Sequence, residues 1–310
     1  MDPAHQRCLP PERHQLQPVH RRSERSRHRS RPQDPRGHRG LRRRGVHRAG
    51  GLGEGSTGLR PNNLSSSNPR VQTLRRLIGR RSARSEAGLF VVQGNVLLQE
   101  ALAAGVDVRE VYLRDGEPDP RGVKVVPFVL DARTFDSVND TVSPQGVLAV
   151  CAIPHHPSPA VSGDTWFVVA HEISDPGNLG TIVRSAEAAG ASGVYVTPNT
   201  VDVHSPKTVR ATAGAMFHVP VREVGSLDDL RSLGLTLIGT SSHGDARSIY
   251  DASFAGPIAV VLGNEAHGLA PDEAIDEWVT IPHAGRAESL NVAMAASVIA
   301  MQVSHARRVG

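Results

Sequence analysis

The sequence predicts an α/β protein: a parallel sheet covered by helices over residues 165–310, preceded by a smaller α/β unit over 67–153. Three observations carry that prediction. From Thr165 onward, short apolar strands alternate with amphipathic helices, the pattern of a parallel sheet buried on both faces. A proline-rich stretch, residues 154–164, separates this pattern from a shorter one ahead of it and reads as a linker. Residues 1–66 are rich in Arg, His, Pro, Gly and Ser and lack apolar periodicity. They cannot bury enough surface to offset chain entropy and read as a disordered basic tail.

The elements follow in order. Val71, Leu74, Leu77 and Ile78 fall at helical spacing and predict a basic helix over Val71–Ala83, with Arg75, Arg76, Arg80, Arg81 and Arg84 outside the apolar stripe. Strands are expected at Leu89–Val92, Val108–Leu113, Lys124–Phe128 and Gly146–Ala152, with helices at Val96–Ala104 and Asp131–Val138. In the larger unit, apolar runs predict strands at Trp166–Ala170, Gly193–Val196, Val219–Val221, Leu235–Thr240, Ile258–Leu262 and Trp278–Ile281. Helices are expected at Leu179–Ala189, Thr208–Met216, Leu227–Ser232, near Pro271–Ile275 and over Asn291–Arg307. The last of these is almost entirely Ala, Val, Ile and Met on one side.

Charge is divided along the chain. The whole stands at +4, with +10 in residues 1–60 and +5 in 61–90, which leaves −11 for residues 91–310. The basic segment can hold nucleic-acid phosphates non-specifically, and with the remainder acidic, RNA would meet a local positive strip and not the whole surface. Cys8 and Cys151 are the two cysteines, so neither a disulfide framework nor a zinc set is present. No apolar run is long enough to span a bilayer and no signal-peptide core is evident, so a soluble, cytoplasmic protein without membrane attachment is expected. Aromatic residues make up 4% of the chain, too few for base-stacking platforms.

Familiar catalytic fingerprints are missing. No G-x-G-x-x-G follows a predicted strand and no P-loop occurs. His171-Glu172 has no second histidine at zincin spacing, His155-His156 lies in the linker, and residues 239–244 do not form a G-x-S-x-G elbow. No metal site is expected.

Three other blocks carry chemistry. Asp175-Pro176-Gly177-Asn178-Leu179-Gly180-Thr181-Ile182-Val183-Arg184 is a turn that opens a helix and places an arginine in its second turn. A helix start is a natural anion site, although a capped helix with a solvated arginine reads equally well from this segment alone. Leu262-Gly263-Asn264-Glu265-Ala266-His267-Gly268 ends a buried strand in a glycine-flanked loop. Ile281-Pro282-His283-Ala284-Gly285-Arg286-Ala287-Glu288-Ser289-Leu290-Asn291 runs from a strand end through a loop to a helix start.

In this order, the blocks resemble the three motifs of the SpoU (TrmH) family of RNA ribose 2′-O-methyltransferases, in the SPOUT superfamily. The resemblance covers residues 165–310 and extends to 68–152. There Gly88-Leu89-Phe90-Val91-Val92-Gln93-Gly94 and Ser143-Pro144-Gln145-Gly146-Val147-Leu148-Ala149-Val150 look like the family's ribosomal-protein-like substrate-binding domain. Gln93 departs from the family pattern, which has Glu before the glycine.

The resemblance implies a SPOUT-type sheet with a C-terminal trefoil knot, an exception to unthreaded folds. It implies S-adenosyl-L-methionine as cofactor, held by Thr240, Ser241, Leu262, Gly263, Ile281 and Leu290, with Gly263 leaving room for it. Arg184, Asn178, Glu265, Ser289 and Asn291 match the catalytic positions. Arg184 would orient the 2′-hydroxyl or take its proton; positioning is easier to defend, because a guanidinium is almost never deprotonated. RNA contacts are expected at Arg75, Arg76, Arg80, Arg81 and Arg210, the last reading equally as a surface helix charge. A homodimer is implied through Ala293, Ala296, Val298, Ile299 and Val303. The expected substrate is structured RNA, 23S rRNA ahead of tRNA; a non-catalytic ribosome-assembly protein on the same fold is the alternative of another class.

Overall fold

The structure is a computed structural model that describes residues 62–309 except 142, 242–245, 271–272 and 287–288. The expectation of disorder for residues 1–61 lies outside the described residues. Its stated end at residue 66 is corrected: Asn63–Leu64 form a short edge strand, β1. Its backbone pairs with Val129 and Leu130, and the Asn62 side chain donates to the Pro127 carbonyl at 3.3 Å.

The smaller unit contains α1 (Pro69–Gly79), α2 (Arg81–Ala87), β2 (Leu89–Gln93), α3 (Asn95–Ala103), β3 (Val108–Arg114), β4 (Phe128–Leu130), α4 (Ala132–Val138) and β5 (Val147–Ala152). Its five strands run in the order β1-β4-β3-β5-β2, with β5 antiparallel to both neighbours. The Asn68 side chain caps α1, and Pro69 fits the first turn because its missing N–H would have had no partner there.

Two expectations are corrected here. The single helix over 71–83 breaks at Arg80, which is extended (φ −132°, ψ 122°). The break turns Arg84 inward, where it is 5% exposed and donates to the Leu77 and Ile78 carbonyls at the end of α1. The strand expected at 124–128 lies at Phe128–Leu130, because pairing with β3 buries Val129 and Leu130 and leaves Val126 72% exposed.

The larger unit comprises β6 (Trp166–Ala170), α5 (Pro176–Ala188), β7 (Gly193–Val196), α6 (Pro206–Ala211), β8 (Val221–Glu223), α7 (Leu227–Ser232), β9 (Thr236–Thr240), β10 (Arg247–Ser248), β11 (Ile258–Leu262), β12 (Glu277–Thr280) and α8 (Val292–Val309). All seven strands are parallel, in the order β10-β12-β9-β11-β6-β7-β8. β11 is buried along its whole length between β6 and β9, which explains its uninterrupted Ile-Ala-Val-Val-Leu sequence. The helix expected over 208–216 ends early, because Ala213 (φ 50°) and Gly214 (φ 96°) are left-handed and only a 3-10 turn follows. Near Pro271–Ile275, the described residues 273–275 are not helical.

The two sheets share one apolar core. Phe90, Val92 and Leu98 belong to the same buried cluster as Ile182, Val209 and Met216. Arg84 adds a buried ion pair across the seam, donating to Asp202 through Nε (2.8 Å) and Nη2 (2.5 Å). Among the described residues, no helix is long and apolar enough to cross a membrane.

Candidate active site

The motif blocks meet where β6, β9, β11 and β12 end, the edge at which parallel sheets present ligand sites. α5 begins there because Asp175 caps it, accepting from the Asn178 N–H at 2.9 Å, and Pro176 occupies its first turn. Leu179, Ile182, Val183 and Ala186, at helical spacing, bury one face. Gly180 faces α6: a Cβ there would lie 2.7 Å from the Ala211 carbonyl carbon. On α8, the Ser297 hydroxyl meets that of Ser185 at 2.7 Å.

The three blocks join in one hydrogen-bond network. Glu265 accepts from the Ser174 N–H (3.1 Å) and hydroxyl (3.0 Å), the Asp175 N–H (3.1 Å) and Asn178 Nδ2 (3.0 Å). Asn178 Oδ1 in turn accepts from Asn291 Nδ2 at 3.1 Å, and Asn291 Oδ1 caps α8 by accepting from the Ala293 N–H at 2.9 Å. Burial pushes the Glu265 carboxyl upward, but the hydrogen bonds from Asn178 and nearby backbone N–H groups outweigh it and hold it at about 2.

That depression gives a pH prediction. A carboxylate held below its unfolded value stabilises the fold above that value and loses the contribution as pH falls towards its folded one. The stability difference between the unaltered protein and Glu265→Gln should be flat from neutrality to the ordinary carboxylate range. It should then shrink as pH falls from the ordinary carboxyl value of 4.5 towards about 2. Denaturant midpoints across that range check this; a difference unchanged down to the lower limit would contradict it.

Beside the network lies a cavity of about 1060 Å³. Thr240, Ser241, Gly263, Ile281 and Leu290, expected at the cofactor, line it, as do Glu265, Ser289 and Asn291. Leu262 does not: its side chain is in the core, and its carbonyl accepts from the His171 N–H at 2.9 Å. The need for glycine at 263 also has a nearer cause than the ligand. A Cβ would come within 2.4 Å of the Gly268 carbonyl carbon, in the loop that folds back from β11. Asn264, in the loop expected to hold the cofactor though not itself picked out, also lines the cavity, whereas sequence reading missed Trp278 and Ile299 as wall residues. Asn264 stood inside a quoted block; Trp278 and Ile299 carried no signal beyond apolar spacing.

Arg184 is exposed on α5 and does not line the cavity, and no hydrogen bond or ion pair joins it to another described residue. It does not pair with Glu265, whose partners are the α5 entry and Asn178. Arg210, expected as a phosphate contact or a surface charge, joins the two units: it donates to Gln93 Oε1 and to Asp140 Oδ1 (2.7 Å). Arg81 likewise reaches Glu223 at 3.0 Å, and Arg75 donates to the Ser66 carbonyl and the Ser137 hydroxyl, each at 3.0 Å. Arg76 and Arg80 stay exposed. The thiol of Cys151 is pushed up to about 12 by burial, which rules out a thiolate nucleophile at neutral pH.

The fold and the site define a class, and comparison with known proteins agrees. Residues 165–301 match the SpoU rRNA Methylase family and residues 68–149 an MRM3-like substrate binding domain. The chain is 31% identical over 242 residues to the 23S rRNA (guanosine(2553)-2′-O)-methyltransferase RlmP of Bacillus subtilis, covering 76% of this chain and 96% of that protein. It is 33% identical over 258 residues to the 23S rRNA (uridine(2479)-2′-O)-methyltransferase of Streptomyces viridochromogenes, covering 76% and 89%. The AdoMet complex of the SpoU methyltransferase AviRb from Streptomyces viridochromogenes superposes with a TM-score of 0.71 at 31% identity, over 78% of this chain and 99% of that one. The chain belongs to the SpoU rRNA methylase family.

Proposed function

We propose that the protein transfers a methyl group from S-adenosyl-L-methionine to a ribose 2′-hydroxyl of 23S rRNA. The observation that carries this reading is the convergence of Glu265, Asn178 and Asn291 beside a cavity of cofactor size, in a family whose relatives carry out this reaction. The cavity fits the cofactor chemically: Val279, Ile281, Leu290 and Ile299 offer apolar wall to an adenosine, and Thr240, Ser241 and Asn264 offer polar groups. When bound, the cofactor supplies an electrophilic methyl on a sulfonium.

The chain's own residues then have separable tasks. Ser289 and Asn291 present polar groups at the wall, for the ribose. Glu265 and Asn178 hold the α5 entry and the α8 start together, which fixes the geometry that in-line attack needs. Arg184, with its guanidinium unclaimed among the described residues, binds the phosphate beside the target ribose and stabilises charge developing on the 2′-oxygen.

In this reading, residues 67–153 engage the RNA, with Arg76 and Arg80 as phosphate contacts, 154–164 link the units, and 165–310 carry catalysis. A trefoil knot at the C-terminal end is part of this reading through the family alone. A homodimer would form through α8, on a face that shares only Val298 with the one expected. Ala293, Ala296, Ile299 and Val303 are buried within the subunit, whereas Met294 (63%), Val298 (38%) and Met301 (48%) form an exposed apolar stripe. In this reading the protein works in the cytoplasm.

The test is methyl transfer from labelled cofactor to 23S rRNA, followed by alkaline hydrolysis, which leaves an alkali-resistant dinucleotide only at a 2′-O-methylated ribose. Label recovered in a base, or none in rRNA, would overturn the proposal.

A further inference from the structure

At the end of β6, immediately before the motif that opens α5, Glu172 has a left-handed backbone (φ 54°), which a residue with a Cβ seldom adopts. Backbone strain of this kind persists only where surrounding bonds over-determine it, and it concentrates at functional sites. Glu172 is held three ways. Its N–H donates to Thr197 Oγ1 at 3.1 Å. Its carboxylate accepts from Asn199 Nδ2 at 2.9 Å, and Asn199 is itself left-handed (φ 64°). Its carbonyl accepts from Asn264 Nδ2 at 2.8 Å.

The last bond reaches the site. With Nδ2 so directed, Asn264 turns Oδ1 into its own loop, where it accepts from the Ala266 N–H (2.8 Å) and the His267 N–H (3.3 Å). The Asn264 carbonyl closes the loop by accepting from the Gly268 N–H at 2.9 Å. That loop carries Glu265, whose carboxylate takes Asn178. Glu172 does not line the cavity, and nothing in the motif blocks singles it out.

We propose that Glu172 is a positioning residue for methyl transfer: its strained carbonyl orients Asn264 and thereby the Glu265 loop, and its carboxylate, tied to Asn199, keeps that carbonyl in place. This rests on the methyltransferase reading for its activity readout, but not for its structural one.

Three variants separate the carboxylate from the strain. Glu172→Gln keeps an acceptor for Asn199. Glu172→Ala removes the acceptor and keeps the strain. Glu172→Gly removes both, since glycine adopts positive φ freely. With cofactor and rRNA saturating, the single-turnover rate should fall about tenfold or more in the alanine and glycine variants, as expected for a displaced reacting geometry. The glutamine variant should stay within about threefold of the unaltered protein. Thermal stability should instead be lower for alanine and equal or higher for glycine, so rate and stability part company. A merely structural role would make the rate follow stability, with the glycine variant as active as the unaltered protein; that result overturns the proposal. The amides of Ala266, His267 and Gly268 give a readout without catalysis. Their hydrogen exchange should quicken in the alanine and glycine variants but not in the glutamine one. If the unaltered protein transfers no methyl group, the functional reading fails while this exchange pattern still decides the role of Glu172; unchanged exchange in all three would refute it.

Discussion

Replacing Arg184 by alanine should lower methyl transfer to rRNA by on the order of 10²–10³-fold or more, the loss seen when a group that stabilises developing charge is removed. Cofactor affinity should change little, because the side chain stands outside the cavity that holds Asn264 and Ile281. Stability should hold within about 0.5 kcal/mol, since an exposed side chain with no bond to another described residue leaves nothing unpaired behind. The two expectations together make the result readable: a rate loss cannot be blamed on misfolding. Arg184→Lys should recover only part of the rate, because an ammonium keeps the charge but not the planar fork. Labelled-cofactor transfer, calorimetric cofactor binding and thermal melting check the three quantities. A fully active alanine variant would remove Arg184 from the catalytic set.

The second large effect lies at the seam between the sheets. Asp202 is the carboxylate partner of buried Arg84, with their side chains 12% and 6% exposed. Asp202→Ala would leave a guanidinium buried without its counter-charge, and breaking such a pair by removing one partner costs about 3–5 kcal/mol. For a chain of this size the melting temperature should fall by on the order of 10 °C. The paired variant Arg84→Met/Asp202→Leu should recover much of that loss, because replacing both members by apolar groups avoids the orphaned charge. A double variant as unstable as Asp202→Ala would mean that the orphaned charge is not the cause, and that the loss lies in the His204 N–H that Asp202 Oδ1 accepts at 2.9 Å, which both variants remove, or is made up again by the Arg84 bonds to the Leu77 and Ile78 carbonyls, which the double variant also removes.

Much of the fold was legible because local pattern and tertiary demand agree. Trp166–Ala170, Gly193–Val196, Leu227–Ser232 and Ile258–Leu262 fall where periodicity and capping put them. The site was legible through its blocks: Asn178, Glu265 and Asn291, far apart in sequence, meet in one hydrogen-bond network. What escaped depends on contacts that spacing does not encode. Arg84 sits at a position indistinguishable from those of Arg76 and Arg80, yet a break at Arg80 turns it into the core. Arg210 reads as a surface charge until Asp140, 70 residues earlier, is seen to hold it. The inner and outer faces of α8 are both apolar, so composition could not say that Met294 and Met301 face out while Ala296 and Val303 face α5 and the core. Gly263 was expected for the right looseness but for another neighbour; the backbone of Gly268 leaves it no room for a Cβ.

The position of β11 has a consequence for how the chain acquires its shape. β11 completes the sheet between β6 and β9, yet it is the last but one of the seven strands in sequence. While residues 166–240 are emerging, both flanking strands have an open hydrogen-bonding edge on the side β11 will fill. Such edges invite pairing with another chain, and closing the β6 edge requires contacts between segments roughly ninety residues apart, which slows the search. The nascent protein therefore passes through an aggregation-exposed stage that ends only when Ile258–Leu262 has entered the sheet, a vulnerability that the finished fold conceals.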